Sequence, residues 1–208
     1  MDQTAHYDSK HARTLEALRR TICMAEPGGE LVLHETALTA EFGMSRTPIR
    51  QILQRLAYER LVETRSGVGT AAVPLRAEQR DRHGLVHRGI LQAILPLDLP
   101  DLSVARHMDV LALRGLAAMI GDGDRDLHYD ALSRLHAILS DLIPDPVLAD
   151  AFSASHWRMT RWHMQAVALD PAAAGRAFRG FVGHVTAYAP RNATDLLRRV
   201  IDGEADRT

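Results

Sequence analysis

Between residues 43 and 56 the apolar positions Ile49, Ile52, Leu53 and Leu56 recur at i, i+3, i+4 and i+7, one face of a helix laid on a core. Thr47, Arg50, Gln51 and Gln54 share the opposite face. Ser45 suits the N-cap, and Pro48 suits the first turn, where no intrahelical N–H is required. Upstream, Glu35–Phe42 reads as a second short helix, and Gly43 suits the left-handed position that ends it. Two short helices joined at Gly43 predict a helix-turn-helix. Downstream, Leu61–Arg65 and Thr70–Val73 are strand-like runs around Ser66-Gly67-Val68-Gly69, a hairpin. The whole predicts a winged helix over residues 1–75, with a first helix from about His11 to Ala25, stopped by Pro27-Gly28-Gly29. Residues 1–10 are polar and are expected to fray.

From Glu78 onward the period is helical throughout. Helices are expected near 78–95, 101–120, 127–142, 146–168, 172–188 and 191–202. The breaks fall at Pro96, Pro100, Gly121–Gly123, Pro144–Pro146, Pro171 and Pro190. The predicted fold is therefore mostly α, an N-terminal winged helix-turn-helix followed by an all-α bundle over residues 76–208. Such a bundle builds ligand sites between facing helices.

Charge changes the picture locally, not globally. The net charge is −1, so any affinity for nucleic acid must come from a patch. Between Met44 and Arg60 the only acid is Glu59, against Arg46, Arg50, Arg55 and Arg60. A helix with guanidinium and polar groups at its N-terminal end fits a DNA major groove. There arginine is bidentate to guanine, while Ser45, Thr47 and free N–H groups hold phosphates. Read without its context, the same stretch is an amphipathic helix with a solvated arginine face. Arg65 stands at the predicted wing tip, within reach of the adjacent minor groove.

The single cysteine, Cys23, excludes an internal disulfide and a cysteine-rich zinc site. No signal-like segment opens the sequence and no apolar run approaches a membrane span, so a cytoplasmic protein without a membrane partner is expected. No nucleophile elbow, phosphate loop or paired-carboxylate signature occurs, which argues against an enzyme. Asp122-Gly-Asp124-Arg-Asp126 lacks the glycine and glutamate of a calcium loop and reads as an inter-helix loop capping the next helix.

Leu18-Arg19-Arg20-Thr21-Ile22, Pro27-Gly28, Leu38, Phe42-Gly43, Ser45-Arg46-Thr47-Pro48-Ile49-Arg50, Leu61-Val62, Gly67, Gly69 and Val73 together resemble the GntR-type transcription regulators. That resemblance implies that Arg46, Thr47 and Arg50 carry most of the DNA contact, with Ser45 and the wing glycines Gly67 and Gly69 helping; Gln51 on the outward face of the helix and Arg65 at the wing tip are the further candidates. Many members carry an arginine where this chain has Thr36. The C-terminal half resembles the helical FCD-type effector domain of the FadR branch, six-helix subgroup, through Arg88-Gly-Ile-Leu91-Gln92, Leu135-His136, Asp145-Pro146-Val147-Leu148, Asp170-Pro171 and His184-Val185.

The resemblance implies a homodimeric repressor on a pseudo-palindromic operator, its helical half sensing a small molecule such as a carboxylate. Effector candidates are Arg88, His136, Met159, His163, Phe181 and His184. Many relatives hold a divalent metal such as zinc with one aspartate and three histidines. Here Leu132, Met159 and Phe181 stand where three of those ligands are expected, leaving His136, His163 and His184 as candidates for a rearranged site. No cofactor is assigned beyond that. The alternative is the same DNA-binding role with a C-terminal half that only dimerises and senses no ligand.

Overall fold

The computed structural model describes residues 3–121, 124–187, 190 and 192–205. The chain separates into two compact units, Met1–Leu75 and Arg76–Thr208.

The first unit runs α1 (Gln3–Cys23), β1 (Val32–Leu33), α2 (Glu35–Phe42), α3 (Arg46–Tyr58), β2 (Val62–Arg65) and β3 (Gly69–Ala72). Ile49, Ile52, Leu53 and Leu56 of α3 are buried, as their period requires, as are Leu18 and Ile22 of α1 and Leu38 of α2, and α3 packs on both α1 and α2. The turn at Gly43 is left-handed (φ 56°, ψ 42°), and the Lys10 ammonium donates to the Gly43 carbonyl at 2.8 Å. Lys10 lies one residue before the expected start of α1, which begins at Gln3 rather than His11 and ends at Cys23 rather than Ala25. The expected fraying of residues 3–10 is corrected accordingly; Met1 and Asp2 lie outside the described residues.

The hairpin is joined by a third strand. β1 pairs antiparallel with β3, Val32 opposite Ala71, in the order β1-β3-β2. A two-residue strand carries too little alternation to be read from sequence. Gly67 (φ 75°) and Gly69 (φ 110°) supply the positive φ the wing turn needs. Among the described residues Arg60 is the one non-glycine in this region (φ 58°), directly after α3.

One buried charge ties the unit together. Glu59 is 2% exposed at the end of α3. It accepts from Arg19 Nε of α1 at 2.8 Å and from Arg55 Nε at 3.0 Å, and pairs again with Arg19 Nη2.

The second unit opens with a 3₁₀ turn, Ala77–Gln79. Six helices follow: α4 (Arg80–Ile94), α5 (Val104–Met119), α6 (Arg125–Ser140), α7 (Pro146–Leu169), α8 (Pro171–Thr186) and α9 (Ala193–Ala205). The expected helix limits 188 and 191, and Asp122 and Gly123 of the acidic loop, lie outside the described residues. Helix starts are set by side-chain caps. Asp124, Asp145 and Asp170 accept from the backbone N–H three residues on, at 3.1, 2.9 and 3.0 Å, with Pro146 and Pro171 in the first turn. α7 packs against α4, α6 and α8, while α9 packs on α4 and α8. Leu91, Leu113, Leu135, Phe152, Phe178 and Leu196 are buried in the common core. No helix among the described residues is long and apolar enough to cross a membrane.

Removing the Glu59 carboxylate takes from the largely buried Arg19 guanidinium its two bonds to Glu59 and leaves it the longer pair with Glu16 at 3.6 Å. Glu59→Ala is therefore expected to destabilise the first unit by ~3 kcal/mol. Amide hydrogen exchange checks this: α1 and α3 should lose protection while α4–α9 keep theirs.

Candidate functional site

The exposed face of α3 carries the predicted contact residues together. Arg46, Thr47, Arg50 and Gln51 are all exposed at its N-terminal half. Ser45 takes the N-cap backbone position (φ −73°, ψ 168°), but its side chain makes no capping bond. The first-turn N–H groups and the hydroxyl are thus open to an outside acceptor such as a phosphate.

Arg50 is oriented by Glu35 at the start of α2, whose two oxygens lie 3.1 and 2.9 Å from its Nε. An acid on Nε fixes the guanidinium plane and leaves the terminal nitrogens for a bidentate grip. Glu35 was not singled out from the sequence; its place at the first position of α2 is the signal that pairs it with α3. Arg65 is at the end of β2 and folds back on two acids, Nη1 to Glu30 and Nε to Glu63, each 2.9 Å. The expected reach into the minor groove therefore requires these bonds to be exchanged for nucleic-acid oxygens. Thr36 is exposed beside this surface, and its carbonyl accepts from Thr39 Oγ1.

The effector candidates of the helical unit do not form one group. Arg88 of α4 is half-buried, and its Nε is buried without a hydrogen-bond partner among the described residues. The inward stripe of α4 is Gly84, His87, Leu91 and Ile94, so His87 occupies the place expected for Arg88. His87 Nδ1 is 2.9 Å from Ser155 Oγ, which itself donates to the Phe152 carbonyl; the imidazole is therefore the donor.

His136 Nε2 lies 3.0 Å from Ser153 Oγ and 3.3 Å from Ser140 Oγ, with its ring stacked on Phe152 at 5.5 Å. His163 Nε2 meets His128 Nδ1 at 2.8 Å. Phe181 is buried beside Phe178. His184 is exposed, because Phe181, Val182, Val185 and Thr186 take the inward phase of α8. The expectation that Arg88, His136, His163 and His184 converge inside the bundle is thereby corrected. Among the described residues no group of three or more His, Cys, Asp or Glu side chains is placed to hold a metal ion. The side chains at Leu132, Met159 and Phe181 offer no hard or borderline ligand in their stead.

Two of the candidates, Met159 and His163, do line a common cavity of about 220 Å³ between α4, α7, α8 and α9. Trp162 lies beside them, Arg80 and Asp81 stand on the α4 side and Glu204 on α9. Trp162 Nε1 donates to His83 Nδ1 at 3.1 Å. Burial, together with Arg158 and Arg82, holds the His83 pKa below its ordinary value near 6.5, so the ring stays neutral and accepts.

A winged helix-turn-helix with a polar, arginine-bearing recognition helix defines a DNA-binding module, here joined to a helical bundle. Residues 11–71 match the family model described as bacterial regulatory proteins, gntR family. The first unit is thus a GntR-family DNA-binding domain. The whole chain is similar in fold to Escherichia coli McbR/YncC, with a TM-score of 0.69 at 16% identity, covering 95% of this chain and 94% of that one. It is similar also to a putative transcriptional regulator GntR from Rhodococcus sp. RHA1, with a TM-score of 0.56 at 19% identity, covering 95% and 96%. No curated protein matches the sequence.

Arg46→Ala and Arg50→Ala should each weaken binding to the cognate operator. Arg50→Ala should cost ~1–3 kcal/mol and relax specificity at one position per half-site. Fluorescence anisotropy at fixed salt on single-base operator variants measures both, and unchanged affinity in both mutants would sink the assignment of α3.

A lowered histidine pKa favours the fold only while the ring is neutral. The stabilisation from His83 is complete above the ordinary value of 6.5 and is lost as pH falls through the lower folded value. The melting temperature should drop as pH falls below about 6.5, and His83→Phe should flatten that slope.

Proposed function

We propose that the protein is a ligand-responsive transcription repressor that binds a pseudo-palindromic operator as a homodimer. The observation that carries this reading is the pairing, in one chain, of the exposed α3 surface with a separate helical unit that contains a small mixed-polarity cavity. A ligand in that cavity alters operator affinity only through its differential affinity for the operator-binding and released states. A tenfold loss of operator affinity needs ~1.4 kcal/mol of such coupling.

Self-association is supported by α5. Val104, Met108, Leu111 and Met119 are 82%, 60%, 48% and 68% exposed and fall on one face at helical spacing. Between them lies Gly115, where an added Cβ would meet nothing within 4 Å. The stripe is balanced about a point between Leu111 and Ala112. An antiparallel second copy of α5 would set Met108 against Gly115 and Val104 against Met119, with Leu111 beside the two-fold. That is the self-complementarity a two-fold interface demands. Continuous apolar stripes of this length are uncommon on a monomer surface.

The second reading, a helical unit that dimerises without sensing, is favoured by the packing around His136. Phe152, His156 and Trp157 close on its ring at 5.5, 5.2 and 4.6 Å and leave no room for a ligand there. The cavity beside Met159 and His163 weighs for the first reading.

The full chain should be a dimer by analytical ultracentrifugation at micromolar concentration. Leu111→Arg should be folded, monomeric and at least about tenfold weaker on a two-half-site operator. A dimeric Leu111→Arg variant would remove α5 as the interface.

A further inference from the structure

We propose that the cavity between α4, α7, α8 and α9 takes a neutral aromatic molecule of one ring or two fused rings, carrying a single hydrogen-bonding group, of the phenol or indole kind. This rests on the ligand-responsive reading above and departs from the carboxylate that the family resemblance implies.

The space exists because its walls are built from small side chains. Ala173, Ala174 and Ala177 line it from α8 and Ala166 from α7. Further along α8 the inward positions are filled by Phe178 and Phe181 instead. A cavity of about 150 Å³ holds one benzene. At about 220 Å³ this one admits a ring with short substituents or a fused pair, and is too small for a nucleotide or a long acyl chain.

Trp162 and Met159, on the α7 side, select a ring over an aliphatic group of equal volume. The Trp162 N–H already donates to His83 Nδ1, so the indole offers the ligand its apolar surface. Paired aromatic rings gain more than the burial of their area, and a thioether adds a favourable sulfur–ring contact.

The charged groups of the lining leave no net charge for a ligand to balance. Glu204 is buried and already engaged within the protein. His163 Nε2 is taken by His128 Nδ1 at 2.8 Å. The remaining two, Arg80 and Asp81, are neighbours at the start of α4, both exposed and of opposite sign. A ligand with a net charge would be attracted by one, repelled by the other, and stripped of part of its hydration. A neutral O–H or N–H donates to the Asp81 carboxylate without that cost, and a hydroxyl oxygen also accepts from Arg80.

The test uses the full-length protein, with phenol, 4-methylphenol and indole as the neutral rings. Cyclohexanol is the saturated counterpart, and benzoate and benzylammonium are the charged ones. Binding is read by titration calorimetry and by melting temperature. At least one neutral ring should bind and stabilise the protein, about threefold or more tighter than cyclohexanol and than either charged ring. Ala177→Leu, which fills the space, should weaken that binding at least about tenfold. Asp81→Ala should weaken it at least about threefold. Both positions are exposed, so both variants should melt as the wild type does without ligand.

The inference is overturned if no neutral ring binds, if cyclohexanol or a charged ring binds as tightly, or if either variant keeps wild-type affinity. Operator binding is measured with the same probes. Operator release by benzoate with no neutral ring bound overturns the inference and leaves ligand response standing. Ring binding that Ala177→Leu abolishes, without any change in operator affinity, supports this site and overturns ligand response instead.

Discussion

The DNA-binding unit depends on a carboxylate placed where no water reaches it. Glu59 closes α3, and its two oxygens are held by Arg19 of α1 and Arg55 one turn back along α3. A buried ion pair of this kind contributes little net stability compared with an apolar contact, because desolvation offsets the attraction. Its value lies in register. The apolar stripe of Ile49, Ile52, Leu53 and Leu56 tolerates small rotations of α3 about its axis, whereas a forked bond from Arg19 to a fixed carboxylate does not. The outward aim of Arg46, Thr47, Arg50 and Gln51 follows from that constraint.

The first unit was legible because its devices are local. Gly43 must be left-handed to end α2, Gly67 and Gly69 must take positive φ, and the period of α3 separates core from surface within two turns. What sequence reasoning missed there is non-local or short: the two residues of β1, and the role of Glu59, whose partner is forty positions away. The extra turns of α1 were missed because the sequence over residues 3–10 carries no amphipathic period, the signal from which a helix is read.

In the second unit the helices were legible from their prolines and capping aspartates, but the interior was not. Eleven histidines offer many plausible groupings, and the choice among them turns on phase differences of one residue. Arg88 and His87 are neighbours in sequence, yet His87 shares the stripe of Leu91 and Ile94 while Arg88 does not. His184 is displaced from the inward phase of α8 in the same way. The imidazoles that do face inward are engaged across the contacts of α7 with α4 and α6: His136 with Ser153, His87 with Ser155, His156 Nε2 with the Leu132 carbonyl, and His163 with His128. Each satisfies a buried polar group that would otherwise be costly. Together they tie α4 and α6 to α7 by directional bonds.

The acids on the DNA-facing surface bear on selectivity. Glu35 holds Arg50, and Glu30 and Glu63 hold Arg65, so two of the cations expected to meet nucleic acid carry their own counter-charges. With a net charge of −1 over the whole chain, attraction to arbitrary phosphates is weak, and that attraction is what supplies non-specific binding. In the proposed contact Arg65 would exchange protein carboxylates for DNA oxygens, an exchange that is close to neutral at a poorly fitting site. Arg50 would keep its carboxylate and offer its terminal nitrogens, which a base edge of the right pattern alone would meet in bidentate geometry. Under that reading the pinned arginines lower affinity everywhere but lower it most where the sequence is wrong, and discrimination is the difference between those two losses.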